Sequence, residues 1–236
     1  MQEFDKLFLL SGKDLKINGD ITVRHPTISE IVDLGEFQYQ FLLNPFVTKP
    51  EDYMVEYDDA GVNYLDVDPY DQFYELFQAG VENGVDYEWL LGCSKFAFYN
   101  NGEEPIVINM GGDIVINRDI YTVISSFLKK INNYPTTNKY NPSSALTRRL
   151  IIENEREEKK SRKSQDSQLA DFISAVAWKD NGGINILNIW NLHIYQFFDA
   201  IQRISSLDNY KFLMQGIYSG CIDAKTIPKS DLNWTT

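Results

Sequence analysis

Residues 95–131 read KFAFYNNGEEPIVINMGGDIVINRDIYTVISSFLKKI, and along them the spacing of apolar residues changes from that of strands to that of a helix. Three runs rich in β-branched and aromatic residues are separated by Asn, Gly and Pro, a pattern that predicts an antiparallel meander. The predicted strands are 95–99, 106–108 and 114–116. Asn117 then caps a helix whose apolar residues recur at helical spacing up to Ile131. This stretch predicts a fold of the α+β class.

The chain before the meander predicts a hairpin and then a helix. Turn residues at 18–20 precede a strand at 21–24, and its partner is either 7–10 or 14–17. The motif Thr-Ile-Ser-Glu that follows is a capping box, in which the Thr hydroxyl and the Glu carboxylate satisfy backbone amides. The apolar spacing after it predicts one helix over 28–43, which Asn-Pro then ends.

An acidic region separates this helix from the meander. Residues 48–67 are polar and acidic and predict irregular structure. Asp68 and Pro69 are an N-cap and a first-turn proline, so they predict the start of a helix, with Gly80 as its C-terminal stop. A shorter helix is predicted around 85–92.

The chain after the meander predicts helices alone. Ser144 can cap a helix whose second half, 153–163, is charged on all sides. This half has no face to bury, so we expect it to bridge or project, supported by charge pairs at four-residue spacing such as Glu155–Lys159 and Glu158–Arg162. The remaining predicted helices are one that begins at Leu169, one over 190–201, and an antiparallel neighbour over 210–217.

The sequence therefore predicts a mainly helical α+β fold with an N-terminal hairpin, helices and a small antiparallel meander, then a helical C-terminal portion. Asn, Pro and Thr after Ile131 mark the predicted boundary. The predicted units are 1–134, an α+β domain that contains the acidic segment 51–94; 135–165, a linker and the charged helix; and 166–236, a helical portion.

The net charge of −12 belongs to one part of the chain. Twelve of the 34 acidic residues lie in the segment 51–94, which has no Lys or Arg, and the other 22 acids balance the 22 bases. This sign of charge argues against a direct nucleic-acid or membrane partner, because both attract clustered bases. No apolar run is long enough to span a bilayer, and the two cysteines predict a reduced, cytoplasmic compartment.

Tyrosines interleave with these carboxylates, and Tyr offers a large contact area at low rotamer cost. An uncompensated acidic face also favours encounter with a basic protein. We therefore predict a protein-binding surface in this segment, although a solvated surface would have the same composition. The predicted partner-binding residues are Glu51, Asp52, Glu56, Tyr57, Asp58, Asp59, Tyr64, Asp66, Asp68, Asp71 and Glu75.

The sequence predicts no catalytic, cofactor-binding or metal-binding residue. Neither His25 nor His193 lies in a nucleophile motif, and both are interpreted as packing or turn residues. The Asp pairs near 58 and 66 do not have the spacing of an EF-hand loop. The glycine pairs at 111–112 and 182–183 are interpreted as turns, since neither has the context of a phosphate-binding loop.

Two parts of the sequence resemble proteins from tailed phages of Gram-positive bacteria. The first is Ile21-Thr-Val-Arg-His-Pro-Thr-Ile-Ser-Glu-Ile31, with Gly35-Glu36 and Tyr39 after it. The second comprises Trp178-Lys-Asp-Asn-Gly-Gly-Ile184, Trp190-Asn-Leu192, Tyr195-Gln196 and Asn233-Trp234. Among such proteins the chain resembles the tail assembly chaperones, which hold the tape-measure protein soluble while the tail tube forms.

The resemblance implies a non-enzymatic phage protein of virion morphogenesis that acts in the host cytoplasm. Its expected partner is the tape-measure protein or another tail protein. Two alternatives stay open at this point. One is an acidic nucleic-acid mimic that inhibits a host DNA-binding protein, and the other is an enzyme whose site the sequence does not reveal. A pocket that joins His25 or His193 to several acids would favour the enzyme.

Overall fold

Among the residues that the structure describes, helices dominate and two small antiparallel sheets accompany them, so the predicted α+β class is confirmed. The computed structural model of the chain describes residues 4–17, 21–100, 102, 104–110, 115–135, 142–161, 168–179, 183–228 and 232–233. The helices of these residues are α1 (Lys6–Leu10), α2 (Ile28–Leu34), α3 (Glu36–Val47), α4 (Met54–Asp59), α5 (Pro69–Glu82), α6 (Glu88–Leu91), α7 (Arg118–Ile131), α8 (Ala145–Ser161), α9 (Gln168–Ala177) and α10 (Ile194–Tyr218). The strands are β1 (Leu15–Ile17), β2 (Ile21–Val23), β3 (Phe96–Tyr99), β4 (Ile106–Asn109) and β5 (Val115–Ile116).

The meander and the helix after it form as predicted. Strand β4 lies between β3 and β5, and both pairings are antiparallel. Asn117 accepts a hydrogen bond from the Ile120 amide at 3.0 Å and so caps α7. Phe127 and Leu128 of α7 are fully buried, which is the outcome that the three- and four-residue spacing predicts. The predicted strand residue Ile114 lies outside the described residues.

The N-terminal hairpin pairs β1 with β2, so 14–17 is the correct alternative for its first strand. Residues 7–10 are helical instead, because Asp5 accepts from the Leu7 amide at 3.1 Å and caps α1. The turn predicted at 18–20 lies outside the part of the chain that the structure describes.

The helix predicted over 28–43 is two helices. Thr27 and Glu30 form the predicted capping box at the start of α2. Gly35, with φ 94°, interrupts the helix and separates α2 from α3. Pro45 does not end α3, which continues to Val47. The side chain of Phe46 is fully buried there, and its carbonyl accepts from Ser125 at 2.6 Å, so burial outweighs the lost backbone hydrogen bond.

The region predicted to be irregular has short helices. Besides α4, the segments Pro50–Tyr53 and Tyr64–Asp66 form 3-10 turns. The next helix begins as predicted, since Asp68 accepts from the Tyr70 amide at 2.8 Å and Pro69 is the first residue of α5. Gly80 does not end α5, which runs to Glu82. A Cβ at Gly80 would collide with the hydroxyl of Tyr87, so this glycine allows close packing instead.

One large apolar core holds the elements together. Its centre is aromatic, with the Phe77 and Tyr87 rings 4.5 Å apart and the Phe73 and Tyr121 rings also 4.5 Å apart. The same core contains buried residues of the C-terminal portion, namely Ile173, Val176, Ala177, Ile189, Ile194 and Phe197. The two portions thus share one buried core, and the predicted division into three units stays a prediction.

The C-terminal helices differ from the sequence prediction. Helix α10 runs without interruption for 25 residues, so 210–217 continues it and is not an antiparallel neighbour. No Gly or Pro lies between Ile201 and Tyr210 that would stop the helix. Trp190 precedes the helix in a 3-10 turn. The helix stop predicted at 180–183 lies largely outside the described residues.

Candidate functional site

Three of the predicted partner-binding carboxylates come together on α4, where they face α8. Arg156 of α8 donates from Nη2 to Oδ2 of Asp58 at 3.0 Å and to Oδ1 of Asp59 at 2.5 Å. Lys159, one turn further along, donates from Nζ to both carboxylate oxygens of Glu56 at 2.8 Å. The partner of these three acids is therefore a helix of the same chain.

Helix α8 uses one face for this contact. Ile152, Arg156 and Lys159 follow one another at spacings of four and three residues, so they lie on the same side of the helix. Ile152 is only 5 % exposed and belongs to a small apolar cluster separate from the main core. The other buried members are Met54, Val55 and Tyr64. Within 153–161 no side chain is fully buried, and Arg156 and Lys159 bridge this part of the helix to α4. The predicted partner Arg162 lies outside the described residues.

Asp68 has a different role from these three acids. Both of its carboxylate oxygens accept from Nη1 of Arg118, at 2.6 and 2.8 Å, and Arg118 also donates to Glu104 at 2.9 Å. The Arg118 guanidinium lies 5.1 Å above the Tyr70 ring. Burial alone would raise the pKa of Asp68, but the hydrogen bonds from Arg118 and from the Tyr70 amide lower it overall. Asp68 therefore joins the start of α5 to the start of α7.

Replacing Asp68 with alanine is expected to lower the free energy of unfolding by about 1 to 2 kcal/mol, because it removes an N-cap and a half-exposed ion pair. Glu75→Ala is the matched control, since it removes one charge from an exposed position of the same helix. Its expected cost is below about 0.5 kcal/mol. Urea denaturation at neutral pH measures both, and equal effects would contradict the capping role.

The other predicted residues do not form one continuous surface. Asp52 accepts from the Lys49 amide at 2.7 Å, and Asp66 accepts from the Asn63 side chain at 2.8 Å. Both acids thus complete local turns. The remaining placements are Glu51 3.8 Å from the Lys49 ammonium, Tyr57 half-buried beside the small cluster, Tyr64 inside that cluster, and Asp71 and Glu75 exposed on α5. The predicted surface is thus divided between the α4 contact and the exposed side of α5.

An apolar groove between α2 and α9 is the main feature that sequence reasoning missed. It has a volume of about 410 Å³ and is lined mainly by large apolar side chains. The principal ones are Ile31, Val32, Leu169, Ile173, Trp178, Ile186 and Trp190. Trp178 is 77 % exposed, although an indole of this size is usually more buried. The sequence does contain a feature from which this groove could have been predicted. The apolar residues around α9 are more numerous than one buried stripe of a helix requires.

A second groove lies on the other side of α9. Its volume is about 270 Å³, and Leu169 lines both grooves. Phe172 lines this second groove and is 46 % exposed, and Tyr39 and Phe198 also line it. Helix α9 therefore presents apolar side chains to two adjoining grooves.

The two histidines meet in the structure. Their ring centroids are 5.1 Å apart, and Nδ1 of His193 lies 2.5 Å from the backbone carbonyl of His25. They line an open cleft of about 830 Å³ together with Asp14, Glu30 and the bases Lys13, Lys16 and Arg24. Asp14 accepts from the His25 amide at 2.7 Å, while Glu30 accepts from Thr27 and from Arg24. A cleft that joins the histidines to acids is the feature that would favour the enzyme alternative. Both acids, however, already accept hydrogen bonds from neighbouring residues of the chain.

The segments around the two histidines also pair through their backbones. The Ile28 amide donates to the Leu192 carbonyl at 2.9 Å, and the Ile194 amide donates to the Pro26 carbonyl at 2.9 Å. His193 is also the N-cap of α10 and forms a capping box with Gln196. The His-Pro-Thr-Ile motif and the Trp190-Asn-Leu192 motif thus lie beside each other, while the late Trp234 is outside the described residues.

The part of the chain that the structure describes also bears on metal binding, on membrane crossing and on the two cysteines. Within it, no three His, Cys, Asp or Glu side chains are grouped so that they could hold a metal ion. None of its helices combines the length and the apolar composition that a membrane crossing requires. Cys93 is half-buried and Cys221 is exposed.

The fold and these surfaces define a mainly helical α+β protein. It has an apolar groove between α2 and α9, and carboxylates of α4 pair with bases of α8. Residues 159–236 match the family model described as the second domain of YomV, which is a phage-associated family. The matched part includes α9 and α10, and it is less than half of the chain. No curated protein and no solved structure matches the chain. The C-terminal part of the protein is thus similar to a phage-associated domain.

Proposed function

We propose that the protein is a phage morphogenesis factor that binds another protein and does no chemistry, and that it is a tail assembly chaperone for the tape-measure protein. The match of residues 159–236 to a phage-associated family supports the phage context. The observation that carries the binding function is the apolar groove between α2 and α9, with the exposed indole of Trp178 at its side. The proposed place of action is the host cytoplasm.

The groove suits an amphipathic helix of the client. Large rigid side chains such as Trp178 and Trp190 provide contact area at low rotamer cost, and an apolar groove between helices receives the apolar stripe of another helix. Glu36 also lines the groove, and Asp171 is exposed on α9 beside Ser174. A client helix with bases beside its apolar stripe would therefore fit better than an acidic one.

Co-expression with the tape-measure protein tests the proposal. The wild-type chain should keep the client soluble and should be recovered with it. Trp178→Ser combined with Phe172→Ser should abolish both effects, because the pair removes exposed apolar side chains from the two grooves without opening the core.

Phe212→Ser is the matched control, since Phe212 is 70 % exposed on α10 and lines neither groove. It should behave as the wild type. A client that stays insoluble with the wild-type chain would overturn the chaperone. A client that stays soluble with the double variant, at unchanged melting temperature, would move the binding site away from the grooves.

The nucleic-acid mimic is the less favoured alternative. A mimic would present its carboxylates to a basic partner as phosphate surrogates. Glu56, Asp58, Asp59 and Asp68 already accept hydrogen bonds from bases of the chain itself, which lowers the density of uncompensated charge on this surface.

A further inference from the structure

The surface of α4 that faces α8 shows what kind of helix the acidic segment recognises. We name it the clasp surface, and its members are Met54, Val55, Glu56, Asp58 and Asp59 of α4 together with Tyr64 of the 3-10 turn that follows. In this chain it holds the face of α8 that begins with apolar Ile152 and continues with a base four and seven residues later. The contact therefore combines an apolar anchor with two charge-assisted hydrogen-bonding positions.

The ion pairs of this contact are not deeply buried. The exposed fraction is 29 % for the side chain of Arg156 and 30 % for that of Lys159, and their carboxylate partners are more exposed. Half-exposed pairs of this kind contribute little net stability, because each charge keeps much of its hydration. The apolar part is also small, since the cluster has one fully buried residue from α8 among the described residues. An external helix with the same pattern can therefore compete with α8.

Tyr64 shows that α8 fits this surface imperfectly. Its side chain is 3 % exposed, and its hydroxyl has no hydrogen-bond partner among the described residues. Burial raises the pKa of Tyr64, Glu51 raises it further, and Arg148 of α8 lowers it. Arg148 lies one turn before Ile152 on the face of α8 that packs against this cluster, and its guanidinium, which only donates, cannot accept the hydroxyl proton. A helix with an acceptor at that position would satisfy a hydroxyl that α8 leaves unpaired.

We infer that the clasp surface is a docking site for an amphipathic helix of a partner protein and that α8 is its exchangeable internal occupant. The recognised helix carries an apolar residue, bases four and seven positions after it, and an acceptor such as Gln four positions before it. The site uses none of the residues that line the groove between α2 and α9, so the inference goes beyond the proposed function and does not rest on it.

A labelled peptide with the sequence of residues 145–161 is the probe. The full-length chain with Arg156→Glu and Lys159→Glu should lose its own α8 contact, and it should bind this peptide about tenfold or more tightly than the wild-type chain does. A chain with Arg149→Glu and Lys160→Glu is the matched control. Arg149 pairs with Glu153 inside α8 and Lys160 is exposed, so this variant should bind the peptide as the wild type does.

Two further arms identify the contacts. Adding Glu56→Gln, Asp58→Asn and Asp59→Asn to the released chain should abolish peptide binding. A peptide with Arg148→Gln should bind the released chain about threefold or more tightly than the unchanged peptide, through the hydroxyl of Tyr64. Circular dichroism and thermal melting establish that each variant is folded, so that a loss of binding reports on the surface.

Equal binding to wild-type and released chains, or full binding after the acids are neutralised, would overturn the inference. So would a released chain that is folded and does not bind the peptide. Concentration-dependent dimers of the wild-type chain without peptide binding would assign the surface to a second copy of this protein. All these outcomes are independent of the tape-measure protein, so they are distinguishable from a failure of the chaperone proposal.

Discussion

Replacing Gly12 with alanine is expected to lower the free energy of unfolding by about 3 kcal/mol or more, because two penalties coincide at this position. Gly12 has φ 70°, a left-handed conformation that L side chains rarely adopt. A Cβ there would also overlap the ring of His193, approaching its Nε2 to within 2.5 Å. The His193 ring has little freedom to move away, because its Nδ1 lies beside the His25 carbonyl and its backbone begins α10.

Gly61→Ala separates the two penalties. Gly61 has φ 73°, but a Cβ there would meet no atom within 4 Å. Its expected cost is about 1 kcal/mol, from the backbone conformation alone. Urea or thermal unfolding of both variants measures the difference. If Gly12→Ala lowered the free energy of unfolding no more than Gly61→Ala does, the close packing of Gly12 against His193 would not be a source of stability.

The elements that the sequence predicts correctly are those whose signals are local. The helix α7 is set by its own apolar spacing and by the Asn117 cap, and the capping box at Thr27 lies within four residues of sequence. The Asp68 cap of α5 is local in the same sense. Such features report on backbone hydrogen bonds that form within one turn, so they do not depend on the rest of the fold.

The errors arise where tertiary burial decides. Pro45 lies inside α3 because the next residue, Phe46, fills the aromatic core. Gly80 suggested a helix end, but it lies inside α5 where the Tyr87 hydroxyl comes close. Neither outcome can be deduced from the spacing of nearby residues, because each depends on side chains that arrive from other elements.

The predicted site was incomplete for the same reason. The sequence identifies an acidic segment, yet it does not show that Lys159 reaches Glu56 across 103 positions of chain. The two histidines are 168 positions apart and no sequence motif links them, although their rings are in contact. Long-range pairs of this kind carry no periodicity, so one sequence gives no signal for them.

The stability of the protein is expected to fall by about 3 kcal/mol between pH 6.5 and pH 4 as His25 becomes protonated on unfolding. His25 is 1 % exposed, and this burial is the largest cause that lowers its pKa from 6.5 to about 4. His193 lowers the pKa further, while the Lys13 backbone and Asp14 act in the opposite direction. The folded state thus binds fewer protons than the unfolded state in this interval. The stabilisation is complete above pH 6.5 and is lost as the pH falls toward 4.

Urea denaturation at several pH values between 7 and 4 measures this slope. His25→Gln should flatten it, because Gln retains a group that can accept from the Tyr195 amide but does not titrate. Phe127→Leu is the matched control, since the Phe127 ring packs against His25 with centroids 5.9 Å apart. It should lower stability at every pH and keep the wild-type slope. Asp68 does not contribute to this slope, because its lowered pKa means that its stabilisation is lost only below about pH 4. A His25→Gln chain that keeps the wild-type slope would therefore assign the pH dependence to titrating groups other than His25 and Asp68.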